Sequence, residues 1–429
     1  MRKNKQTAWI ALGLILGIIV GFICNQTAPN PDAAKEIASY FVMLTDIFLR
    51  LIKMIIAPLV FTTLVSGLAG MGDAKTVGRV GGRALGWFVC ASFTSLLIGL
   101  FFANLLQPGV NVNMPLPDVA ASTNLKTSAL NLKDFMTHVF PKNIFESMAN
   151  NEILQILVFA VFFGLALGSL RNTAARTLAV AIEEVVPVML RVTDAVMKFA
   201  PVGVFAAVAN VITVQGLGIL VVYGKFAGSF ILAISTLWLC LVIAGYCVMG
   251  KDIFRLIRAI RDPMLLGFST ATSEAAYPRV MEALEGFGIS KRITGFILPL
   301  GYSFNLDGSM MYTTFAALFV AQAYNIPMPL SQQIIMLLVL MVSSKGIAGV
   351  PRASLVVVAA VLPMFHIPEA GLLLIMGIDH FLDMCRTATN VLGNAIATGV
   401  VAKWEGAIGV AEDEEDEDEV AGQVKAAAE

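Results

Sequence analysis

The chain has 429 residues, 57% hydrophobic and 14% charged, with a mean hydropathy of +0.80. Soluble domains are about 25% charged, so this composition excludes a water-soluble globule. A formal net charge of −1 offers no basic surface for nucleic acid. Cys24, Cys90, Cys240, Cys247 and Cys385 are scattered in apolar segments without metal or disulfide spacing.

The first expected span is Trp9–Cys24, preceded by Arg2, Lys3 and Lys5, which places the N-terminus in the cytoplasm. The run meets no small-residue cleavage site before Pro29 and is read as a span, not a cleaved leader. Ile37–Gly70 is a long second span containing Pro58. Lys75, Arg79 and Arg83 mark a cytoplasmic loop before the third span, Gly86–Leu106. A long polar connection, Pro108–Asn151, is placed outside. Ile153–Leu170 is the fourth span, followed by Arg171 and Arg176. Val185–Val214 is a fifth helix, expected to break near Pro201, and Phe226–Met249 is the sixth. Lys251, Arg255, Arg258 and Arg261 return the chain to the cytoplasm.

Beyond Arg261 the regular pattern fails. Asp262–Gly286 holds two apolar pieces too short to cross, joined by Ser269-Thr-Ala-Thr-Ser-Glu-Ala. Ile293–Tyr324 is long enough but is interrupted by Ser303-Phe-Asn-Leu-Asp-Gly-Ser. Ile334–Met364 again shows two half-length pieces, joined by Ser343-Ser-Lys-Gly-Ile-Ala-Gly-Val-Pro. Backbone at membrane depth needs polar partners, so these pieces predict two re-entrant helical hairpins, arranged as an inverted repeat of hairpin plus helix. The expected fold is an all-α polytopic membrane protein of eight spans and two hairpins. Glu412–Glu419 is an acidic run expected in a solvated cytoplasmic tail.

The last apolar stretch carries Asp379, Asp383, Arg386, Asn390 and Asn394 at spacings of 4, 3, 4 and 4 residues, with Thr387 beside them. Helical periodicity puts all of them on one stripe. Each ionised residue at mid-membrane costs about 2.5 to 3.5 kcal/mol, and self-neutralisation does not require two acids, a base and two amides. The stripe is therefore a candidate substrate or ion site. Asp383 and Arg386, one turn apart, suit a zwitterion bearing an extra carboxylate, which favours glutamate or aspartate over succinate or malate. A gated channel is the competing class, but unequal tips converging on one stripe suit a binding site better than a ring of equal filters. A membrane enzyme lacks support: the chain contains neither H-E-x-x-H nor G-x-S-x-G.

Three motifs resemble the dicarboxylate/amino acid:cation symporter family, the glutamate and aspartate transporters: Ser303–Ser309, Ser343–Pro351 and Asp379–Asn394. The bacterial proton/glutamate-aspartate type is the nearest in pattern. The resemblance covers nearly the whole chain. It implies an inner-membrane homotrimer in contact with lipid, both termini cytoplasmic, in which a transport domain moves like an elevator against a static scaffold. On that pattern 1–75 and 111–222 are scaffold and extracellular connection, 76–110 and 223–405 form the transport domain, and 406–429 is the tail.

The resemblance also implies roles. Arg386 binds the substrate's side-chain carboxylate, Asp383 its ammonium, and Asn390 and Thr387 add neutral hydrogen bonds. Ser273 of the first tip, the Gly349 and Val350 backbone of the second, and Met310 complete the substrate lining. Asp307, Asn305, Ser303, Asn394 and Asp379 are the cation-coupling set, with no resident metal or cofactor. The departures are specific. Asn394 stands where sodium-coupled relatives carry aspartate; Phe88, Ala91 and Ser92 align with a Tyr and a Thr-Ser pair; Thr313 stands where neuronal relatives carry a proton-bearing glutamate. The expected driving ion is thus mainly H⁺, carried by an acid such as Asp307 or Asp383 whose charged form burial disfavours. Sodium at Asp307, Asn305 and Asn394 is the alternative. Arg352 follows Pro351 where relatives carry a small residue or Gln, and it is expected either to replace a missing site arginine or to reach outside water. Glu274 and Lys345 flank the tips.

Overall fold

The computed structural model describes residues 2–70, 74–110, 116–117, 137, 139–170, 174–217, 223–344 and 353–409. Among them the only β feature is an isolated antiparallel bridge between Ile289 and Ile408; the remainder is helical or connecting chain. The tips at 345–352, with Lys345, Gly349, Val350 and Arg352, and the acidic run lie outside the described residues.

The first half comprises α1 (Arg2–Thr27), α2 (Pro31–Gly70), α3 (Ala74–Leu106), α4 (Ile144–Ala149), α5 (Ile153–Leu170), α6 (Arg176–Met197), α7 (Ala200–Gln215) and α8 (Gly224–Met249). Five of these, α1, α2, α3, α5 and α8, are long and apolar enough to cross a membrane, and the α6–α7 pair, bent by 51°, makes a sixth if counted as one span. That pair corrects the fifth expected helix. It begins at Arg176 instead of Val185, while the expected break near Pro201 is present, at Lys198-Phe199. Pro201 instead occupies the first turn of α7, where its missing N–H leaves no helical bond unmade.

The second half comprises α9 (Asp252–Thr270), α10 (Ser273–Phe287), α11 (Lys291–Phe304), α12 (Asp307–Ala323), α13 (Leu330–Ser343), α14 (Ala353–Val361), α15 (Leu373–Met376) and α16 (Asp379–Trp404). The first arm of the expected hairpin starts at Asp252, not Asp262. The basic stretch joins the helix because Ile253, Leu256 and Ile260 are buried on one face while Arg255, Arg258 and Arg261 stay exposed on the other. The other two expected crossings fall on α11–α12 and on α16. One is split at Asn305-Leu306 into helices of 14 and 17 residues, and the other carries the polar stripe, so neither is an uninterrupted apolar span.

Helix α1 packs on α7, and α2 on α5, α6 and α7. The α1–α7 contact is backbone on backbone. A Cβ at Gly13, Gly17 or Gly21 would lie 2.5, 2.7 or 2.8 Å from the carbonyl oxygens of Pro201, Phe205 and Ala209. Small residues four apart allow this approach in a membrane, where packing rather than water drives helix association. A second group gathers round α16, which packs on α8, α9, α10, α11 and α12, while α3 lies on α12. Arg79 and Arg83 on α3 hold Glu405 at the end of α16, at 2.9 and 2.7 Å. Between the groups, α10 and α11 touch α2, and Arg279 of α10 reaches Asp194 of α6 at 2.9 Å and Glu282 of its own helix at 2.7 Å.

Candidate functional site

Arg386 leads the fully buried side chains by size, and its side chain is 1% exposed. A cation at this depth is tolerable only when paired. Its Nη2 lies 2.9 Å from Asp383 Oδ1 and 3.3 Å from Asp379 Oδ1. The guanidinium carbon sits 4.0 Å from the centroid of the Tyr312 ring, a cation–π contact, and the Tyr312 hydroxyl donates to Asp379 Oδ1 at 2.8 Å. One nitrogen therefore meets both acids. Nε and Nη1 are buried and make no hydrogen bond within the protein. Those two nitrogens are the guanidinium's means of gripping a carboxylate with two N–H groups. Asp379 is 1% exposed, Asp383 30%. Asp379 is a buried counter-charge, whereas Asp383 faces accessible space.

The first tip is set by backbone. Helix α9 ends at Ala271 in the left-handed region, φ 49°, and α10 starts at Ser273 after an extended Thr272 that makes no side-chain cap. The first backbone N–H groups of α10 have no helical acceptor. Phe268 and Ala271 pack beside Met384 and Phe381, so this tip lies against α16 next to Asp383. Thr387 is buried, with its methyl 3.3 Å from where a Cβ at Gly267 would stand. From the second arm, Ser344 Oγ reaches Met310 Sδ at 3.2 Å, which brings the start of that tip to the first turn of α12.

The break between α11 and α12 holds the other cluster. Asp307 is fully buried; its Oδ2 accepts from Asn305 Nδ2 at 3.1 Å and its Oδ1 from Ser95 Oγ of α3 at 3.5 Å. Asn305 Oδ1, Ser303 Oγ and both amide atoms of Asn394 are buried without a hydrogen-bond partner. Helix α16 abuts this break without side-chain clearance. A Cβ at Gly393 would overlap Asp307 Oδ2, one at Gly301 the Asn394 oxygen, and one at Gly308 the Arg386 backbone. One carboxylate and several neutral oxygens, some unsatisfied, fit a hard, weakly held cation. Among the described residues no three His, Cys, Asp or Glu side chains cluster to hold a metal ion.

Asn390 links the clusters. Its Oδ1 accepts from the backbone N–H of Gly308 at 2.9 Å and of Ser309 at 3.4 Å, and its Nδ2 donates to Ser309 Oγ at 3.2 Å. It thus satisfies the start of α12, as a helix cap does, and spends most of its hydrogen-bonding capacity there.

All of the expected site residues that fall in the described chain, apart from Ser273 on the neighbouring tip, lie on α12, on α16 or at the end of α11 and its break. Two contributors were not foreseen. Tyr312 gives no sequence signal beyond an aromatic hydroxyl in an apolar helix. Ser95, one turn beyond Ser92, meets Asp307 Oδ1 at 3.5 Å.

A family model described as the sodium:dicarboxylate symporter family matches residues 7–404. The chain belongs to that family. It is 42% identical over 413 residues to a proton/sodium-glutamate symport protein of Geobacillus stearothermophilus, covering 95% of this chain and 96% of the relative. It is 40% identical over 408 residues to the proton/glutamate-aspartate symporter of Escherichia coli K12, covering 93% and 92%. A C4-dicarboxylate transport protein of Acinetobacter baylyi is 40% identical over 410 residues, covering 93% and 91%. Members of the sodium:dicarboxylate symporter family are transporters, not enzymes, and this one is built of several apolar helices.

Proposed function

We propose that the protein is a secondary active symporter of L-glutamate and L-aspartate, driven mainly by the proton gradient. The observation that carries the reading is the Arg386 guanidinium, sealed from water beside Asp383 with Nε and Nη1 unsatisfied. A substrate carboxylate satisfies those N–H groups; its ammonium takes the exposed side of Asp383; its α-carboxylate meets the first-turn N–H groups of α10 at Ser273, with the backbone of Gly349 and Val350 as the expected contact from the second tip. Asp383 distinguishes amino acids from succinate, which has no ammonium to offer it. The names of the relatives above include both substrate classes, so C4-dicarboxylate transport is the second reading.

The coupling cation occupies the break at Ser303, Asn305 and Asp307 with Asn394. Asp307 and Tyr312 are five residues apart on α12, about 7.5 Å along its axis. Protonating or neutralising Asp307 relaxes the start of α12, and Tyr312 carries that shift to Asp379 and so to Arg386. The neutral Asn394 gives a cation less charge to bind, which favours H⁺ over Na⁺.

In this reading the chain crosses an inner membrane eight times with cytoplasmic termini, and α9–α10 and α13–α14 are re-entrant hairpins. The group round α16, with α3, is the transport domain, which moves against the scaffold of α1, α2 and α5–α7 in a homotrimer. The close α1–α7 packing and the gathering of α3 and α8–α12 round α16 support that division.

The test is uptake of labelled glutamate, aspartate and succinate into proteoliposomes under imposed gradients. Arg386→Gln removes two charge-assisted hydrogen bonds of about 1.5 to 3 kcal/mol each, so binding should weaken by more than a hundredfold while the protein still inserts. Undiminished accumulation by that variant overturns the substrate assignment. Strict sodium dependence with no response to pH overturns the proton assignment.

A further inference from the structure

A cavity lies outside this site, where α7 and α1 face α8, the end of α9 and the start of α16. Its volume is about 300 Å³, and no polar atom contributes to its wall. The two sides of α7 differ. Toward α1 its backbone is in contact with glycines. Toward α16 the buried contact is a small cluster of Val208, Ile212 and Met384, separate from the main core. Close packing is the norm inside proteins, and this seam departs from it.

Water does not settle in such a space, because it needs two to four polar partners. Ions are excluded for the same reason. The cavity reaches Ile231 of α8, which is 53% exposed, and Ile15 and Ile19 of α1, next in the chain to its lining residues Leu14 and Ile18, are 52% and 49% exposed. These outward faces are solvated by hydrocarbon in a membrane protein. The volume accommodates about ten water-sized groups, the bulk of an alkyl segment of similar length.

We propose that this cavity is a binding site for one acyl chain of a membrane lipid, inserted between α1 and α8. Phe381, Met384 and Cys385 wall it from the α16 side, interleaved with Asp383 and Arg386. An acyl chain in place fills the seam and holds the first turns of α16 against α7.

The experiment uses the full chain in nanodiscs of phosphatidylcholine doped with a phospholipid whose acyl chain carries a diazirine. After illumination, labelled peptides are mapped by mass spectrometry. Label is expected on the stretches 208–217 and 378–385. Ala227→Phe, which fills the cavity from α8, should lower that label at least fivefold while label on the outward Phe162 is unchanged. Ala227→Leu replaces it if the larger ring prevents folding, judged by gel filtration. Label confined to outward faces, or unaffected by filling in a folded variant, overturns the proposal. No transport is measured, so the result is independent of the symporter reading.

Discussion

Tyr312→Phe removes a single oxygen and leaves the ring under Arg386. The lost hydroxyl donates to Asp379 at 2.8 Å, and Asp379 shares Arg386 Nη2 at 3.3 Å. Without the hydroxyl the Asp379 charge leans harder on Arg386, and an incoming carboxylate competes against a stronger internal partner. A hydrogen bond to a charged group contributes about 1.5 to 3 kcal/mol. Arg386 absorbs part of that loss, so the lower end applies: glutamate should bind about tenfold more weakly. Tyr312→Leu also removes the cation–π contact, worth about 2 kcal/mol when desolvated, and should cost a further tenfold or more. Titration calorimetry of glutamate with purified protein measures both. The pair Tyr312→Phe and Asp379→Asn should be non-additive, because each acts through the other. Tyr312→Phe binding within twofold of the native protein, or full additivity with Asp379→Asn, would refute the reasoning.

Gly393→Ala drives a methyl into Asp307 Oδ2 and should destabilise by about 1 to 3 kcal/mol while abolishing cation dependence, read by thermal unfolding and gradient-driven uptake. Asn394→Asp adds a carboxylate beside the break and should shift uptake toward sodium dependence, read in proteoliposomes at fixed pH. Gly17→Leu forces α1 from the α7 backbone and should lower the midpoint of thermal unfolding by several degrees, whereas Gly78→Ala, with open space around it, should not. Asp194→Asn leaves Arg279 with Glu282 and should change stability by less than about 1 kcal/mol in denaturant titration.

The amino-acid order by itself determined the membrane class, the broken helices and the polar stripe. Apolar run length and helical period are local properties, so Ile153–Leu170, the break at Asn305-Leu306 and the stripe from Asp379 to Asn394 are all legible in one dimension. Helix ends were less legible. The start of α9 at Asp252 depends on burying Ile253, Leu256 and Ile260 against neighbours that the local pattern does not name. Tertiary structure alone decided the partners: that Arg386 meets two acids through one nitrogen, that Tyr312 stands beneath it, that Ser95 reaches Asp307, and that Asn390 caps α12. The reason is that the pairs Tyr312–Asp379, Ser95–Asp307 and Asn390–Gly308 join residues 67, 212 and 82 positions apart. Helical periodicity says which face a residue shares, but only the packing of α3, α12 and α16 says what stands opposite that face.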